Sequence, residues 1–192
     1  MVIALKTLIS KLSGNKKLLQ HTLFSFSCKQ DPDIQFFLHY RAVDFESLSK
    51  ARTYLIVDEA ALQQGKFIIL GYFSLALKIL FIPESLSTRA RKELDGFSGK
   101  LHGEPIQSIP CYLIGQLGRN SDYDKSILSG KSLLTHAYNS ITAATELVGG
   151  RYIMVECHNN EKLLHFYQDN LFNEISRTNN HTVTMVQLIR KI

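Results

Sequence analysis

The chain has 192 residues, 45% of them apolar and 20% charged, with a formal net charge of +5. That length supports a hydrophobic core in a single domain spanning residues 1–192, and the balance excludes a disordered or fibrous chain. No apolar run approaches the roughly 18 residues of a membrane span, and the start, MVIALKTLIS, has no basic leader and is broken by Lys6, so neither a membrane anchor nor a secretory signal is expected.

Residues 2–13 (VIALKTLISKLS) space their apolar side chains as a short amphipathic helix ending near Gly14, and residues 17–30 suit either helix or extended chain. Asp31 and Asp33 bracket Pro32 as a helix start. Ile34, Phe37, Leu38, Arg41, Ala42, Phe45 and Leu48 then follow on one helix of about fifteen residues. Residues 51–58 (ARTYLIVD) form a strand. A loop with Gly65 leads to residues 66–80 (KFIILGYFSLALKIL), one long strand with a bend at Gly71. Residues 86–94 (LSTRARKEL) read as helix. Their basic cluster, Arg89 to Lys92, is flanked by Glu93 and Asp95 and fits a helix face better than a phosphate patch. Residues 95–108 hold three glycines and a proline, and are expected to be a substrate-facing loop.

Residues 109–172 read as strand, loop, helix, strand, helix. The first strand is apolar (CYLIGQL, 111–117), and the loop carries Gly118, Asn120, Ser121, Asp122 and Asp124. Leu128, Leu133, Leu134, Ala137, Tyr138 and Ile141 recur at helical spacing. RYIMVEC (151–157) is rich in β-formers and too short for a helix. Asn159 and Asn160 can cap a helix whose apolar face holds Leu163, Leu164, Phe166 and Tyr167. Residues 173–177 and 182–192 read as closing strands, with Asn179 and Asn180 in the turn between them.

This unit resembles the core of the GNAT superfamily, the acyl-CoA-dependent N-acyltransferases. In N-E-K-L-L-H-F-Y-Q-D-N-L-F, Asn160, Glu161, Phe166, Tyr167 and Phe172 fall on the family's pattern, while Leu171 sits where the family has Gly. In the turn Lys125-Ser126-Ile127-Leu128-Ser129-Gly130, Gly130 and the following Leu133-Leu134 match. Leu128 replaces the first Gly of the turn, and Lys125 its Gln or Arg. The front half is similar to one GNAT subgroup through Phe26-Ser27-Cys28, Phe37-Leu38 with Ala42, residues 51–55 (ARTYL) and residues 71–76 (GYFSLA). That subgroup includes acetyltransferase toxins that modify aminoacyl-tRNA.

The resemblance implies an α/β (α+β) chain with a GNAT-like acyl-CoA N-acyltransferase fold, a mixed, mostly antiparallel sheet of about six or seven strands flanked by helices. It implies acetyl-CoA as co-substrate, with the pyrophosphate over Lys125, Ser126, Ile127, Leu128, Ser129, Gly130 and Lys131, where a helix N-terminus offers N–H groups and partial positive charge. The pantetheine arm would meet Gly115, Gln116, Leu117 and Asn160, and the Tyr167 phenol would protonate the departing thiolate. The acceptor is an amine on a small molecule, a protein or a charged tRNA, and a homodimer is left open. The alternatives are a non-catalytic acyl-CoA-binding module and a toxin-like enzyme acting on aminoacyl-tRNA. The positive charge suits a polyanion, whether nucleotide or nucleic acid.

Other chemistries fare less well. Gly130-Lys131-Ser132 ends like a P-loop, but Lys125 stands where that pattern needs Gly. Glu156, Asp58 and Glu59 lie near strand ends, and no spacing singles out one as a general base. The seven histidines, His158 among them, show no metal-binding spacing, and no metal is expected. Cys28, Cys111 and Cys157 form no C-x-x-C pair, which favours reduced core thiols and a cytoplasmic protein, so the Asn180-His181-Thr182 sequon carries no weight.

Overall fold

The computed structural model describes residues 1–180 and 183–192. In chain order the elements are β1 (Val2–Ala4), α1 (Leu5–Lys11), α2 (Lys16–Phe24), α3 (Pro32–Tyr40), α4 (Ala42–Ser47), β2 (Arg52–Val57), α5 (Glu59–Gln63), β3 (Ile69–Phe81) and α6 (Thr88–Asp95). There follow β4 (Lys100–Leu101), β5 (Glu104–Pro105), β6 (Ser108–Arg119), α7 (Gly130–Val148), β7 (Tyr152–His158), α8 (Glu161–Asp169), β8 (Asn173–Asn180) and β9 (Val183–Lys191). Seven strands form one sheet in the order β1-β2-β3-β6-β7-β9-β8, and β4 and β5 form a separate pair. The pairs β1–β2, β2–β3, β7–β9 and β8–β9 are antiparallel. Asn179 and Asn180, expected in the last turn, instead continue β8 and pair with Thr184 and Val183, because the ladder to β9 carries the strand further than its apolar pattern does; His181 and Thr182 of the sequon lie outside the described residues. No helix among the described residues is long and apolar enough to cross a membrane.

The chain forms two compact units, Met1–Ala76 with Ile114–Ala143, and Leu77–Leu113 with Ala144–Ile192. In the first, the start of the chain is a strand where the spacing predicts helix. Val2, Ile3 and Ala4 pair with Ile56, Leu55 and Tyr54, and the Met1 ammonium donates to the Val57 carbonyl at 2.8 Å. Helical spacing holds only from Leu5 onward, so pairing with β2 overrides local preference. The Asp31 carboxylate caps α3 as expected, accepting from the amides of Asp33 (3.0 Å) and Ile34 (3.3 Å). The expected fifteen-residue helix is two helices. The backbone turns at Arg41 (φ −121°), and Leu38 before it and Ala42 after it are both fully buried. Helix α5, unexpected in the loop before Gly65, is capped by Asp58, whose Oδ1 accepts from the Ala61 amide at 3.0 Å. The core joins Leu5, Leu23, Phe26, Leu38, Leu55 and Tyr72.

Strand β3 is continuous, and its expected irregularity at Gly71 is a register shift. Ile56 faces Gly71 while Val57 faces Ile69. This is the extra residue of a β-bulge. A Cβ on Gly71 would stand 2.7 Å from Leu128 Cδ2 and 3.0 Å from the Gly118 carbonyl, so only glycine lets β6 and residue 128 come this close.

In the second unit, Ser87 caps α6, and Gly96 ends it with φ +75°. Arg91 is spent on the backbone, donating to the carbonyls of Leu86 (3.1 Å), Ile106 (2.7 Å) and Pro83 (2.7 Å). The expected 95–108 loop contains the β4–β5 hairpin, whose turn residues His102 and Gly103 have φ +52° and +90°. Positive φ at both positions is the turn that matches strand twist. The core gathers Leu80, Leu94, Ile109, Cys111, Met154 and Ile189.

Candidate active site

In the first unit the site is built from the end of β6 and the approach to α7. Gly115 is exposed, and Gln116 and Leu117 are half-buried. The Tyr72 hydroxyl donates to the Ile34 carbonyl at 2.5 Å and lies 3.3 Å from Gln116 Oε1. Burial holds this phenol far above the ordinary tyrosine range, so it stays protonated and serves as a tether. Asn120, which the sequence reading leaves in a loop, is 1% exposed. Its Nδ2 donates to the Ile69 carbonyl at 2.8 Å, and its Oδ1 accepts from the amides of Ser27 (3.3 Å) and Asp122 (3.1 Å). A buried, fully used amide of this kind fixes where β6 ends and the next loop begins.

That loop is tightly specified. Asp124 Oδ1 accepts from the Ser126 amide at 2.8 Å, and this bond holds the carboxyl below its ordinary range. The Ile127 amide donates to the Asp124 carbonyl at 3.1 Å. Leu128, in place of a family glycine, turns its side chain inward over Gly71 and is 7% exposed. The substitution therefore leaves the outer side of the turn clear. Ser129 caps α7, its Oγ accepting from the Ser132 amide at 3.0 Å, and the helix ladder opens with the Leu133 amide on the Ser129 carbonyl. The first-turn amides of Gly130 and Lys131 precede that ladder and have no carbonyl partner within the helix. Lys125, Ser126, Ile127, Ser129 and Lys131 are exposed. Lys125, Lys131 and the N-terminus of this long helix are the kinds of group that can hold an anion such as a pyrophosphate.

In the second unit Asn160 caps α8, its Oδ1 accepting from the amides of Lys162 (3.0 Å) and Leu163 (3.3 Å). Tyr167, 8% exposed, packs its ring against Phe166 and Phe172 at centroid distances of 5.1 and 5.5 Å. Leu171 has φ +69°, the left-handed conformation that ends α8. This is the position where the family pattern has glycine, and the reason is that conformation; leucine holds it at a cost of about 1–2 kcal/mol.

Of the three candidate bases, Asp58 and Glu156 are engaged elsewhere, and Glu59 stands exposed at the first position of α5. Asp58 caps α5. Glu156 is ion-paired with Lys78 and accepts from Gln187 Nε2 at 2.6 Å, while Ser176 Oγ donates to Gln187 Oε1 at 2.5 Å. That row of side chains across β3, β7, β9 and β8 was not legible in the sequence, because it rests on strand order. The three cysteines are free and buried. Burial pushes the Cys111 thiol up to about 11 and raises Cys28 and Cys157 too, so none is poised as a nucleophile. No cluster of three metal-ligating side chains occurs among the described residues.

No protein-family model matches the chain, and no curated protein sequence does. Solved structures do. AtaT complexed with acetyl-methionyl-tRNAfMet is 22% identical, with 85% of each chain covered and a TM-score of 0.61. A Tyr-to-Phe mutant of KacT is 19% identical over 91% of this chain and 89% of its own, with a TM-score of 0.64. AtaTR bound with AcCoA is 22% identical over 86% and 84%, with a TM-score of 0.59. At these identities the likeness is one of fold, and the seven-stranded, mostly antiparallel sheet flanked by helices is the GNAT fold.

Proposed function

We propose that the protein is a GNAT-type, acetyl-CoA-dependent N-acetyltransferase, a single cytoplasmic domain that moves an acetyl group to a primary amine. The observation that carries this reading is the start of α7. Ser129 caps it, Leu128 folds inward, and the amides of Gly130 and Lys131 are left for an anion, in a fold shared with a structure bound with AcCoA. Residues 125–131 would hold the pyrophosphate, and Gly115, Gln116, Leu117 and Asn160 the pantetheine arm. The thioester supplies the activated acetyl group. The amine nitrogen forms the new C–N bond as the C–S bond breaks, and the Tyr167 hydroxyl gives its proton to the leaving thiolate. The substrate ammonium loses one proton to water before attack, since Glu156 and Asp58 are already engaged, and the second proton, released by the acetylated nitrogen, returns through water to the Tyr167 phenolate.

A second reading names the acceptor as aminoacyl-tRNA. AtaT has been captured with acetyl-methionyl-tRNAfMet. In this chain, residues 1–52 hold eight Lys and Arg against four Asp and Glu. The same segment carries a half-exposed ring cluster. Phe24 lies 5.3 Å from Tyr40, Tyr40 lies 5.0 Å from Phe36, and the Arg41 guanidinium stands over Phe36. Stacking rings beside cations suit unpaired bases.

The test is calorimetry with acetyl-CoA on the wild type and on Gly130→Glu, followed by thiol-release assays on an amine panel and on charged tRNA. Gly130→Glu adds bulk and like charge at the cradle and should abolish acetyl-CoA binding. Unchanged affinity would place the cofactor elsewhere, and binding without turnover on any acceptor would favour a non-catalytic acyl-CoA module.

A further inference from the structure

Leu86, Ala90 and Leu94 recur at every fourth position from just before α6 to near its end, so they fall on one side of the helix. All three line a pocket of about 290 Å³, closed on its other side by Tyr152 of β7, Ile189 of β9 and Ile175 of β8. The small Ala90 at the middle of the row leaves the gap open. The walls are fixed by hydrogen bonds. Arg91 holds α6 to the carbonyls of Pro83 and Ile106 at 2.7 Å each. At the far end of the helix the Tyr152 hydroxyl donates to the Glu93 carbonyl (3.3 Å) and Arg151 Nη1 to that of Leu94 (3.2 Å). Opposite α6 the ladder of β8 is interrupted. Glu174 faces Leu188 and Ser176 faces Gln187, which leaves Ile175 as the extra residue of a β-bulge. Bulges gather at sheet edges and beside sites, where they re-aim a side chain. This one lies on the edge strand, and Ile175 lines the pocket.

The floor is apolar, and the rim carries both signs of charge. Glu93 and Lys191 line the pocket and are exposed, and neither enters an ion pair among the described residues. Glu174, also at the rim, is committed to Arg177 at 2.6 and 2.9 Å. The exposed Asn173 adds an amide. One open carboxylate, one open ammonium and an amide around an apolar floor are complementary to a zwitterion with an apolar body. The volume is at the small end of ligand sites, which run from roughly 300 Å³ upward, so it suits a single amino acid rather than a nucleotide cofactor. Tyr152 is the first residue of β7, and Asn160 comes two residues after its last, His158. The length of that strand, roughly 20 Å, therefore separates the pocket from the Asn160 cap.

We propose that this pocket is a binding site for a free apolar α-amino acid, separate from the acetyl-CoA site. The ligand side chain lies on Leu86, Leu94, Ile175 and Ile189. Its ammonium meets the Glu93 carboxylate, which only accepts, and its carboxylate meets Lys191 and the Asn173 amide, which donate. Burial of the side chain supplies most of the affinity, while the rim charges, open to water, orient the ligand and select the zwitterion. Binding here needs no acetyl-CoA and no transfer step.

The test is calorimetry on the full chain with L-leucine, L-methionine and L-phenylalanine as probes. At least one should bind saturably. The carboxamide of the best probe, which lacks the carboxylate, and its deaminated acid, which lacks the ammonium, should each bind about 5-fold more weakly, the upper scale of one exposed ion pair. Ala90→Leu fills the gap from α6 and should abolish binding. Glu93→Gln is an exposed change that spares the core; it should weaken binding about 5-fold, and it stands even if the leucine overpacks. Gly130→Glu should lose acetyl-CoA and keep the amino acid, which separates this site from the proposed cofactor turn. Four results would each overturn the proposal: no binding of any probe, equal binding of the carboxamide and the deaminated acid, full affinity in Glu93→Gln or in a folded Ala90→Leu, and loss of the amino acid together with acetyl-CoA in Gly130→Glu.

Discussion

Tyr167 sits on α8 seven residues after the capping Asn160, a separation of about two helical turns, so both address the same side of the helix. Its ring is held by Phe166 and Phe172. Tyr167→Phe keeps that packing and removes only the hydroxyl. Melting temperature should hold, and kcat should fall by roughly 10²-fold, the usual scale for one acid–base group. The KM for acetyl-CoA should move less, since the loss is confined to the transition state. Turnover at the wild-type rate, with chemistry shown to be rate-limiting, would reduce Tyr167 to a packing aromatic. Cys111 gives a second residue-level expectation. Burial lifts its thiol from the ordinary 9.0 to about 11, so the folded chain holds this proton more tightly than the unfolded chain does. The associated stability is complete below about pH 9 and is lost as pH rises toward 11. Urea midpoints should decline across that window, and at neutral pH the thiols should react with an aromatic disulfide reagent only on unfolding.

At the scale of elements, the contact between β3, the end of β6 and the turn before α7 decides the shape of the cradle. Gly71 makes it possible. Gly71→Ala drives a methyl into Leu128 and the Gly118 carbonyl, at 2.7 and 3.0 Å. Overpacking of this kind costs about 1–3 kcal/mol. It should also push residue 128 outward and weaken acetyl-CoA binding in calorimetry. Pairing it with Leu128→Ala should cost less than the two single changes added together, because the second change removes one of the clashing groups. Strict additivity in a double-mutant cycle would mean that the two residues do not share this contact.

Over the whole molecule the charge of +5 bears on the acceptor. If the acceptor is charged tRNA, its phosphates release counterions on binding, and log(kcat/KM) should fall with log salt at a slope of roughly 0.7 to 0.9 per phosphate contacted. A small amine would show only the shallow dependence due to acetyl-CoA. Running both acceptors through the same salt series separates the two readings, and equal slopes would remove the electrostatic support for tRNA.

Much of this was written locally. Asp31 before Pro32 and Asn160 before α8 cap the helices that the sequence marks, because a cap needs only its own side chain and amides two or three residues on. The long β3, the strand–turn–helix before α7 and the seven-stranded sheet followed from apolar runs and from the family resemblance. Helix α5 was within reach too, since Asp58 precedes a run of good helix formers. Other features depended on partners far along the chain. Val2 to Ala4 became a strand because β2 offered a ladder, and Asn120 became a buried hub because Ser27 and Ile69 arrive beside it. Leu128 turned inward because β3 brings a glycine beneath it. The pocket beside α6 exists because β8 bulges at Ile175 across from a small Ala90. Propensity and capping act within a few residues and can be read from the chain; register, close approach and exposure are set between segments, and only the folded structure decides them.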